Sequence, residues 1–164
     1  MSSARTENVA IGLGLVSLAL MLGALGFQYL DRLPPCEMCV WQRYPHFAAI
    51  VVGLIGGFAV SRGYLDAKLA TPIAILTALL VAASGAIAVY HAGVEWHWWE
   101  GPKACTGGLV NVSGPIDLNA PVVMCDRAAW RMFGLSLAGY NAIASLGAAL
   151  IGFILIGVRT KANA

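Results

Sequence analysis

Charged residues are scarce in this sequence: 11% of its 164 residues are charged, whereas 59% are hydrophobic. An average soluble domain carries roughly 25% charged residues, so the composition excludes an ordinary soluble protein and indicates an integral membrane protein. The net charge of +2 comes without a basic run or an aromatic stacking surface, which argues against nucleic-acid binding. Repeats, low-complexity segments and interdomain linkers are also missing, so we expect one integral membrane domain over residues 1–164.

Four apolar stretches are long enough to cross a bilayer, because a helix needs roughly 20 residues to span a hydrocarbon core of about 30 Å. The second stretch differs from the others, since Arg43 and His46 lie in its first turns and an arginine there must face the interface or the protein interior. The predicted spans cover residues 9–30, 40–60, 72–89 and 135–158. The predicted fold class is therefore an all-α membrane protein with a four-transmembrane-helix bundle.

The first stretch has one alternative interpretation. Arg5 followed by an apolar run and by Ala24-Leu25-Gly26 also fits a signal peptide with its cleavage site. Because the apolar run is longer than a usual signal core, we predict a membrane span.

The four cysteines are confined to one face of the predicted bundle. With four spans, the connections at residues 31–39 and 93–134 emerge on the same side. These two connections contain all of the cysteines: Cys36, Cys39, Cys105 and Cys125. An even number of cysteines on one face indicates an oxidising compartment, where disulfides persist.

The basic residues divide evenly between the two sides, with five on each. On the side of both termini they lie in much shorter segments, and the cysteine side carries six of the eight acidic residues. The positive-inside rule therefore favours cytoplasmic termini. The cysteines then face the periplasm or an equivalent outer space, with a long loop between spans three and four.

A Cys-x-x-C motif, Cys36 to Cys39, opens the second span. The dipole and the free backbone amides at a helix start stabilise a thiolate on Cys39, which favours thiol–disulfide exchange. Cys105 and Cys125, separated by nineteen residues, form a second pair on the same face. Two such pairs allow electrons to pass by successive disulfide exchanges.

Two other roles for the cysteines compete with exchange. A zinc site usually shows two close-spaced ligand pairs, and Cys105 and Cys125 are not close-spaced. His91 and His97 lie some way from both pairs in the sequence, so we predict no metal site. Static disulfides in a structural four-span protein are the other alternative, but they leave the Cys-x-x-C beside Arg43 unexplained.

Helical spacing places basic side chains on one face with the motif. If the helix begins at the motif, four residues follow at i, i+3, i+7 and i+10: Cys36, Cys39, Arg43 and His46. A cation four residues past Cys39 can stabilise its thiolate and the negative oxygen of a quinone during reduction, so Arg43 is a candidate cofactor-binding residue. His46 is a weaker candidate, because packing inside the bundle explains it equally simply. His91 could donate to a quinone carbonyl beside Glu95, or serve only as an interfacial histidine.

The sequence resembles the disulfide bond formation protein B (DsbB) family from the first span to the fourth. Residues 36–43, Cys-Glu-Met-Cys-Val-Trp-Gln-Arg, are similar to the family's Cys-x-x-C-x-x-Gln-Arg signature. Other segments are similar to its second cysteine pair, to the entry of its last span and to a Tyr-His before a tryptophan-bearing segment: residues 105–108, 125–130, 133–136 and 90–91. The chain departs from many members at Ala138 and Tyr140, where they have Pro and Trp, and in a somewhat short spacing between Cys105 and Cys125.

The resemblance implies an enzyme of the bacterial inner membrane that reoxidises a periplasmic thioredoxin-like (DsbA-type) dithiol protein and reduces a membrane quinone. Ubiquinone is favoured over menaquinone. The implied partner attacks a Cys105–Cys125 disulfide at Cys105, the released Cys125 attacks Cys36, and Cys39 engages the quinone. Arg43 is the implied cofactor contact, with His91 and His46 as weaker candidates.

A quinone reductase similar to vitamin K epoxide reductase is the alternative within the same class. Such a protein also sets a Cys-x-x-C and a loop pair around four helices. Its Cys-x-x-C lies near the end of the helical core, whereas here the motif opens the second span. The order of the motifs therefore argues against this alternative.

Overall fold

Four long apolar helices dominate the protein. A computed structural model describes residues 3–103, 105–106 and 123–161 of the chain. Within them, four helices are long and apolar enough to cross a membrane, and we call them spans 1 to 4: Thr6–Tyr29, Glu37–Ser61, Ala67–Glu95 and Leu137–Val158. The predicted all-α, four-helix membrane fold is confirmed.

Each span consists of one or more helical elements. Span 1 lies in α1 (Ser3–Tyr29), and span 4 lies in α5 (Leu137–Lys161). The remaining elements, in chain order, are α2 (Glu37–Ile50), a π-helical segment (Val51–Gly56) and α3 (Gly57–Ser61) in span 2, then a 3-10 turn (Ala67–Leu69) and α4 (Ala70–Glu95) in span 3.

Span 2 begins at the Cys-x-x-C motif, earlier than the predicted start at residue 40. Cys36 is the N-cap of α2, and its Sγ accepts the backbone N–H of Cys39 at 3.1 Å. Pro45 stays inside the helix, and in the turn before it Ser84 Oγ donates to the backbone carbonyl of Gln42 at 2.9 Å. A hydroxyl from span 3 thus adds an interhelical hydrogen bond in the turn before the proline.

Span 3 extends beyond both predicted ends. It was predicted over residues 72–89, but its helical turns begin at Ala67 and continue to Glu95. His91 and Glu95 therefore lie one turn apart on a helix, and the loop predicted to begin at residue 93 begins after Glu95.

Spans 1 and 2 pack closely through glycine. A Cβ atom added at Gly53, in the π-helical segment, would lie 2.6 Å from the carbonyl oxygen of Ala10 and 2.9 Å from Thr77 Cγ2. At Gly57 it would lie 2.7 Å from Ile11 Cγ1. Because the hydrophobic effect does not drive helices together in lipid, such small residues provide the close backbone contact that holds them.

A short hairpin leads the chain into span 4. Its strands are β1 (Arg131–Met132) and β2 (Leu135–Ser136), paired antiparallel. The two turn residues, Phe133 and Gly134, both have positive φ, 49° and 82°, as a two-residue type I′ turn requires. Ser136 Oγ then accepts the backbone N–H of Gly139 at 3.2 Å, which caps the first turn of α5.

Replacing Gly53 with alanine should destabilise the protein by about 1–3 kcal/mol, because the added methyl group overlaps the Ala10 carbonyl and Thr77. Gly12→Ala in α1 is the matched control, since a Cβ there meets nothing within 4 Å. Thermal unfolding in detergent should show a lower midpoint for Gly53→Ala and an unchanged or higher one for Gly12→Ala. An unchanged midpoint for Gly53→Ala would contradict the close packing.

Candidate redox site

The structure gathers the four cysteines at one end of the bundle. Cys36, Cys105 and Cys125 are buried, with 4%, 6% and 0% of their surface exposed, and pack together with Met38 and Val94. Cys39 is half-buried and packs against the same cluster. The two pairs that the sequence placed on one face are therefore in one cluster.

The two pairs differ in redox state. Cys105 and Cys125 form a disulfide with a Cα–Cα distance of 5.3 Å, and the backbone N–H of Cys125 donates to the carbonyl of Cys105 at 2.7 Å. This is the pairing that the family resemblance implied. Cys36 and Cys39 are free thiols, so the loop pair is oxidised while the helix pair is reduced.

Cys36 has close partners in two helices. Its Sγ lies 3.6 Å from His91 Nε2 in span 3 and accepts the Cys39 backbone N–H. Hydrogen bonding with the Cys39 sulfur, together with burial, raises the pKa of the Cys36 thiol. Cys36 is therefore protonated at neutral pH when the pair is reduced.

A cavity of about 430 Å³ opens beside the motif. Its volume is in the range of small-molecule sites, and its walls are mostly apolar side chains from spans 1 and 4 and from residues 33–35 and 129–132. Its lining includes one thiol and five charged, imidazole or amide side chains: Cys39, Gln42, Arg43, His46, His91 and Asn141. Three of the four side chains predicted to share a helix face border this cavity, whereas Cys36 packs in the cysteine cluster.

Arg43 presents its guanidinium at this cavity. It is half-buried, and its Nη1 donates to Gln28 Oε1 in span 1 at 2.5 Å. Within the part of the chain that the structure describes, no carboxylate forms an ion pair with it. Since a guanidinium has five N–H donors, Arg43 retains donors for an electronegative group in the cavity.

His46 is held between spans 1 and 4. It is buried, with its Nδ1 3.1 Å from Ser17 Oγ and its Nε2 3.1 Å from Asn141 Oδ1. These contacts fit the packing role that the sequence left open for it. His46 also borders the cavity, so a cofactor contact stays a prediction.

His91 is oriented by the side chain of Gln42. Gln42 Nε2 lies 2.8 Å from His91 Nδ1 and also donates to the Met38 carbonyl at 3.1 Å. With the amide in this orientation Nδ1 accepts, so the ring proton is on Nε2. That nitrogen faces Cys36 Sγ at 3.6 Å and Glu95 Oε1 at 3.7 Å. His91 thus contacts the motif directly, which its sequence position did not indicate.

Gln42 and Asn141 line the cavity although neither was predicted as a site residue. Asn141 Nδ2 donates to Gln42 Oε1 at 2.9 Å and approaches Ser84 Oγ at 3.3 Å. Asn141 Oδ1 also accepts the Ser145 hydroxyl at 2.7 Å. A polar side chain in an apolar span is the signal that could have identified both residues, since such groups seek partners across helices.

These features define a class of protein. Four membrane-spanning helices hold two cysteine pairs in one cluster at one end, and the helix pair borders an apolar cavity with basic side chains. That is the arrangement of a membrane thiol–disulfide oxidoreductase.

Comparison with known proteins identifies the family. The family model for disulfide bond formation protein DsbB matches residues 6–155, and the chain belongs to the DsbB family. Disulfide bond formation protein B of Polaromonas sp. (strain JS666 / ATCC BAA-500) is 31% identical over 88% of this chain and 88% of its own length. The proteins of the same name from Azoarcus sp. (strain BH72) and Burkholderia pseudomallei (strain 1106a) are 29% and 30% identical. They cover 87% and 96% of this chain and 88% and 89% of their own lengths. No solved structure matches the chain significantly.

Alkylation should distinguish the two helix thiols. With the helix pair reduced, Cys39 should react first with iodoacetamide at neutral pH, because Cys36 is buried and its pKa is raised. Modification of Cys36 should keep increasing with pH beyond about 8.5, where an ordinary thiol ionises. Peptide mass spectrometry measures both rates, and unfolded protein, in which the two should react similarly, is the control. Faster reaction of Cys36 in the folded protein at neutral pH would show this assignment to be wrong.

Proposed function

We propose that this protein reoxidises a thioredoxin-like dithiol protein outside the cytoplasm and passes the electrons to a membrane quinone. The observation that carries the proposal is the position of the Cys-x-x-C pair. Cys36 packs with the Cys105–Cys125 disulfide, whereas Cys39 borders the apolar cavity beside Arg43. In the Cys36–Cys39 dithiol, one cysteine therefore faces the loop disulfide, and the other faces a cavity open to a lipid-soluble acceptor.

The exchange steps start at the loop disulfide. A thiolate of the reduced partner attacks Cys105, forming a mixed disulfide and releasing Cys125 as a thiol. The second partner thiol then attacks the mixed disulfide, which leaves the partner oxidised. Cys125 then attacks Cys36 of the oxidised helix pair, which forms a Cys36–Cys125 bond and releases Cys39 as a thiolate. The freed Cys105 attacks Cys125 in turn, which re-forms the loop disulfide and leaves the helix pair reduced. Burial of Cys36 and Cys125 in one cluster supports this order, because the exchange needs only local rearrangement.

The cavity suits a quinone by the chemistry of its lining. A quinone has a flat apolar ring with carbonyl oxygens that only accept hydrogen bonds, and the cavity combines apolar walls with the remaining N–H donors of Arg43. When bound, the quinone supplies the two-electron acceptor chemistry. Arg43 holds a cation where negative charge develops on an acceptor oxygen, and Cys39 is the sulfur nearest that acceptor.

His91 acts on the thiol side of the site in this proposal. Its Nε2–H points at Cys36 Sγ, so it can stabilise the Cys36 thiolate that forms when Cys125 leaves. Its place in the cavity lining also keeps a contact with the acceptor as part of the proposal. His46 is assigned the weaker cofactor role, since its nitrogens already have protein partners.

The proposal includes a location and an acceptor. Both termini lie in the cytoplasm of a bacterium, and the cysteine end of the bundle faces the periplasm, as the distribution of basic residues favours. Ubiquinone is our first choice of acceptor over menaquinone, and the assay below compares the two.

Arg43→Gln should slow quinone reduction by roughly 100-fold, because it removes a fixed cation from the acceptor site. Purified protein is mixed with a reduced thioredoxin-like dithiol protein and a ubiquinone or menaquinone analogue, and quinone absorbance is followed. Disulfide exchange at Cys105 and Cys125, measured separately by rapid quench, should be largely unchanged. Arg62→Gln, at an exposed position beyond span 2, is the control. Unchanged quinone reduction in Arg43→Gln contradicts its role, and no turnover in the unmodified protein contradicts the function.

Cys105 should be the residue that forms the mixed disulfide. A partner that retains only its nucleophilic cysteine cannot resolve the intermediate, so a covalent complex should accumulate with the unmodified protein. Non-reducing electrophoresis and mass spectrometry locate the bond. Cys105→Ser should abolish the complex, and Cys39→Ser, which leaves the loop disulfide intact, is the matched control. A complex bonded at Cys125 or Cys36 would show that the entry thiol is assigned wrongly.

A further inference from the structure

Three potential ligand atoms for a soft metal converge at the Cys-x-x-C motif. Cys36 Sγ, Cys39 Sγ and a ring nitrogen of His91 all lie within 4.8 Å of one another. Cys36 and His91 are buried, and Cys39 is half-buried beside the cavity. No metal site was predicted from the sequence, in part because His91 is distant from both cysteine pairs along the chain. The fold brings His91 next to Cys36 and Cys39.

The distance between Cys36 Sγ and His91 Nε2 fits tetrahedral coordination of zinc. With Zn–S bonds of about 2.3 Å and Zn–N bonds of about 2.0–2.1 Å, a sulfur and a nitrogen on one tetrahedral zinc lie about 3.6 Å apart. Cys36 Sγ and His91 Nε2 are 3.6 Å apart. The two atoms are thus already at the distance at which one zinc ion would hold them.

Glu95 provides an independent indication of a ligand. It lies one helical turn beyond His91, is buried at 7% exposure, and places its Oε1 3.7 Å from His91 Nε2. Its other oxygen, Oε2, is buried without a hydrogen-bond partner among the described residues. Ser136 and Arg131 already interact with this carboxylate, but Oε2 has no hydrogen bond of its own, and a bound cation is one way to satisfy it.

We propose that the reduced Cys36–Cys39 pair, with His91 and Glu95, forms a four-ligand site for a soft divalent cation such as zinc. Two Zn–S bonds form as the two thiols each release a proton to solvent, and no electron is transferred. The His91 lone pair is the third of three ligands that already lie together, and a Glu95 oxygen becomes the fourth once its side chain moves toward the two sulfurs. The disulfide form lacks thiolates, so the metal binds only the reduced protein.

Metal binding requires a change in the hydrogen bonds behind His91. Nε2 must give up its proton to bind zinc, so the ring must carry its proton on Nδ1. Gln42, whose side-chain nitrogen lies 2.8 Å from Nδ1, must then turn its amide over to present its oxygen, which breaks its hydrogen bonds with the Met38 carbonyl and with Asn141 Nδ2. Such an outer partner orients the ligand and strengthens its metal bond.

A metal at this site would arrest the reduced protein. It occupies both helix sulfurs, so Cys36 cannot exchange with Cys125 and Cys39 cannot react at the cavity. The inference goes beyond the proposed function and is tested without quinone or partner, so the two fail separately.

The test measures zinc in the full-length protein with the loop pair removed. The Cys105→Ser/Cys125→Ser protein is reduced with a phosphine, and the phosphine is then removed under anaerobic conditions. The protein is incubated with zinc chloride and desalted. We expect one zinc per chain by elemental analysis, and none after oxidation of Cys36 and Cys39 to the disulfide. Cobalt(II) in place of zinc should show sulfur-to-cobalt charge-transfer absorption. Less than stoichiometric zinc in the reduced protein, or equal zinc in the oxidised protein, overturns the proposal.

Single substitutions test the remaining ligands. His91→Ala and Glu95→Gln should each weaken zinc binding at least about tenfold in competition with a chelator, because even loss of an outer partner costs 10–100-fold. His97→Ala and Glu100→Gln, at exposed positions on the following segment, are the matched controls and should bind zinc normally. Unchanged affinity in His91→Ala or Glu95→Gln overturns the four-ligand site. Zinc binding is also compared between the reduced and the oxidised forms of the same protein, which differ by no substitution at a ligand. A folding defect in a variant therefore cannot by itself decide the result.

Discussion

Burial of a helix start against the end of another helix determines the geometry of this site. Cys36 ends the connection from span 1 and caps span 2, and it does so in contact with His91 on span 3 and with the loop disulfide. A helix start has backbone N–H groups without helical partners, and burying them is costly. Here the Cys36 sulfur accepts the Cys39 backbone N–H, which makes burial of this helix start possible. The two other parts of the site adjoin this junction. The cysteine cluster lies on one side of it, and the cavity lies on the other.

Hydrogen bonding inside an apolar bundle sets the orientation of the site residues. A buried polar group without a partner is costly where no water is available, so the few polar side chains of the spans bond to one another. Gln42 joins His91 to Asn141, and Asn141 joins Gln42 to His46. The resulting network crosses three spans and leaves each histidine with defined partners. Among the described residues of the spans, Glu95 Oε2 is buried without such a partner, and it lies beside the proposed metal ligands.

Helical periodicity predicted much of the cavity and failed at its first residue. Cys39, Arg43 and His46 border the cavity because they follow one another on regular α-helix. Cys36 has extended backbone angles, φ −73° and ψ 169°, so the helical spacing does not apply to it. The end of span 3 was placed too early for a different reason. Trp99 folds back so closely that a Cβ at Gly93 would lie 2.0 Å from its ring, and this packing keeps the last turn helical to Glu95.

The sequence alone determined the class of fold and the kind of chemistry, because both depend on local properties. Long apolar runs form membrane-spanning helices, and a Cys-x-x-C at a helix start favours thiol–disulfide exchange through its local geometry. Tertiary structure alone decided which sulfur meets which partner. Cys36 and His91 are 55 residues apart in the chain, and their contact depends on how spans 2 and 3 pack. The same packing turns Cys36 toward the loop disulfide and leaves Cys39 at the cavity. The start of span 2 lies between the disulfide and the cavity, so each cysteine faces a different one of them.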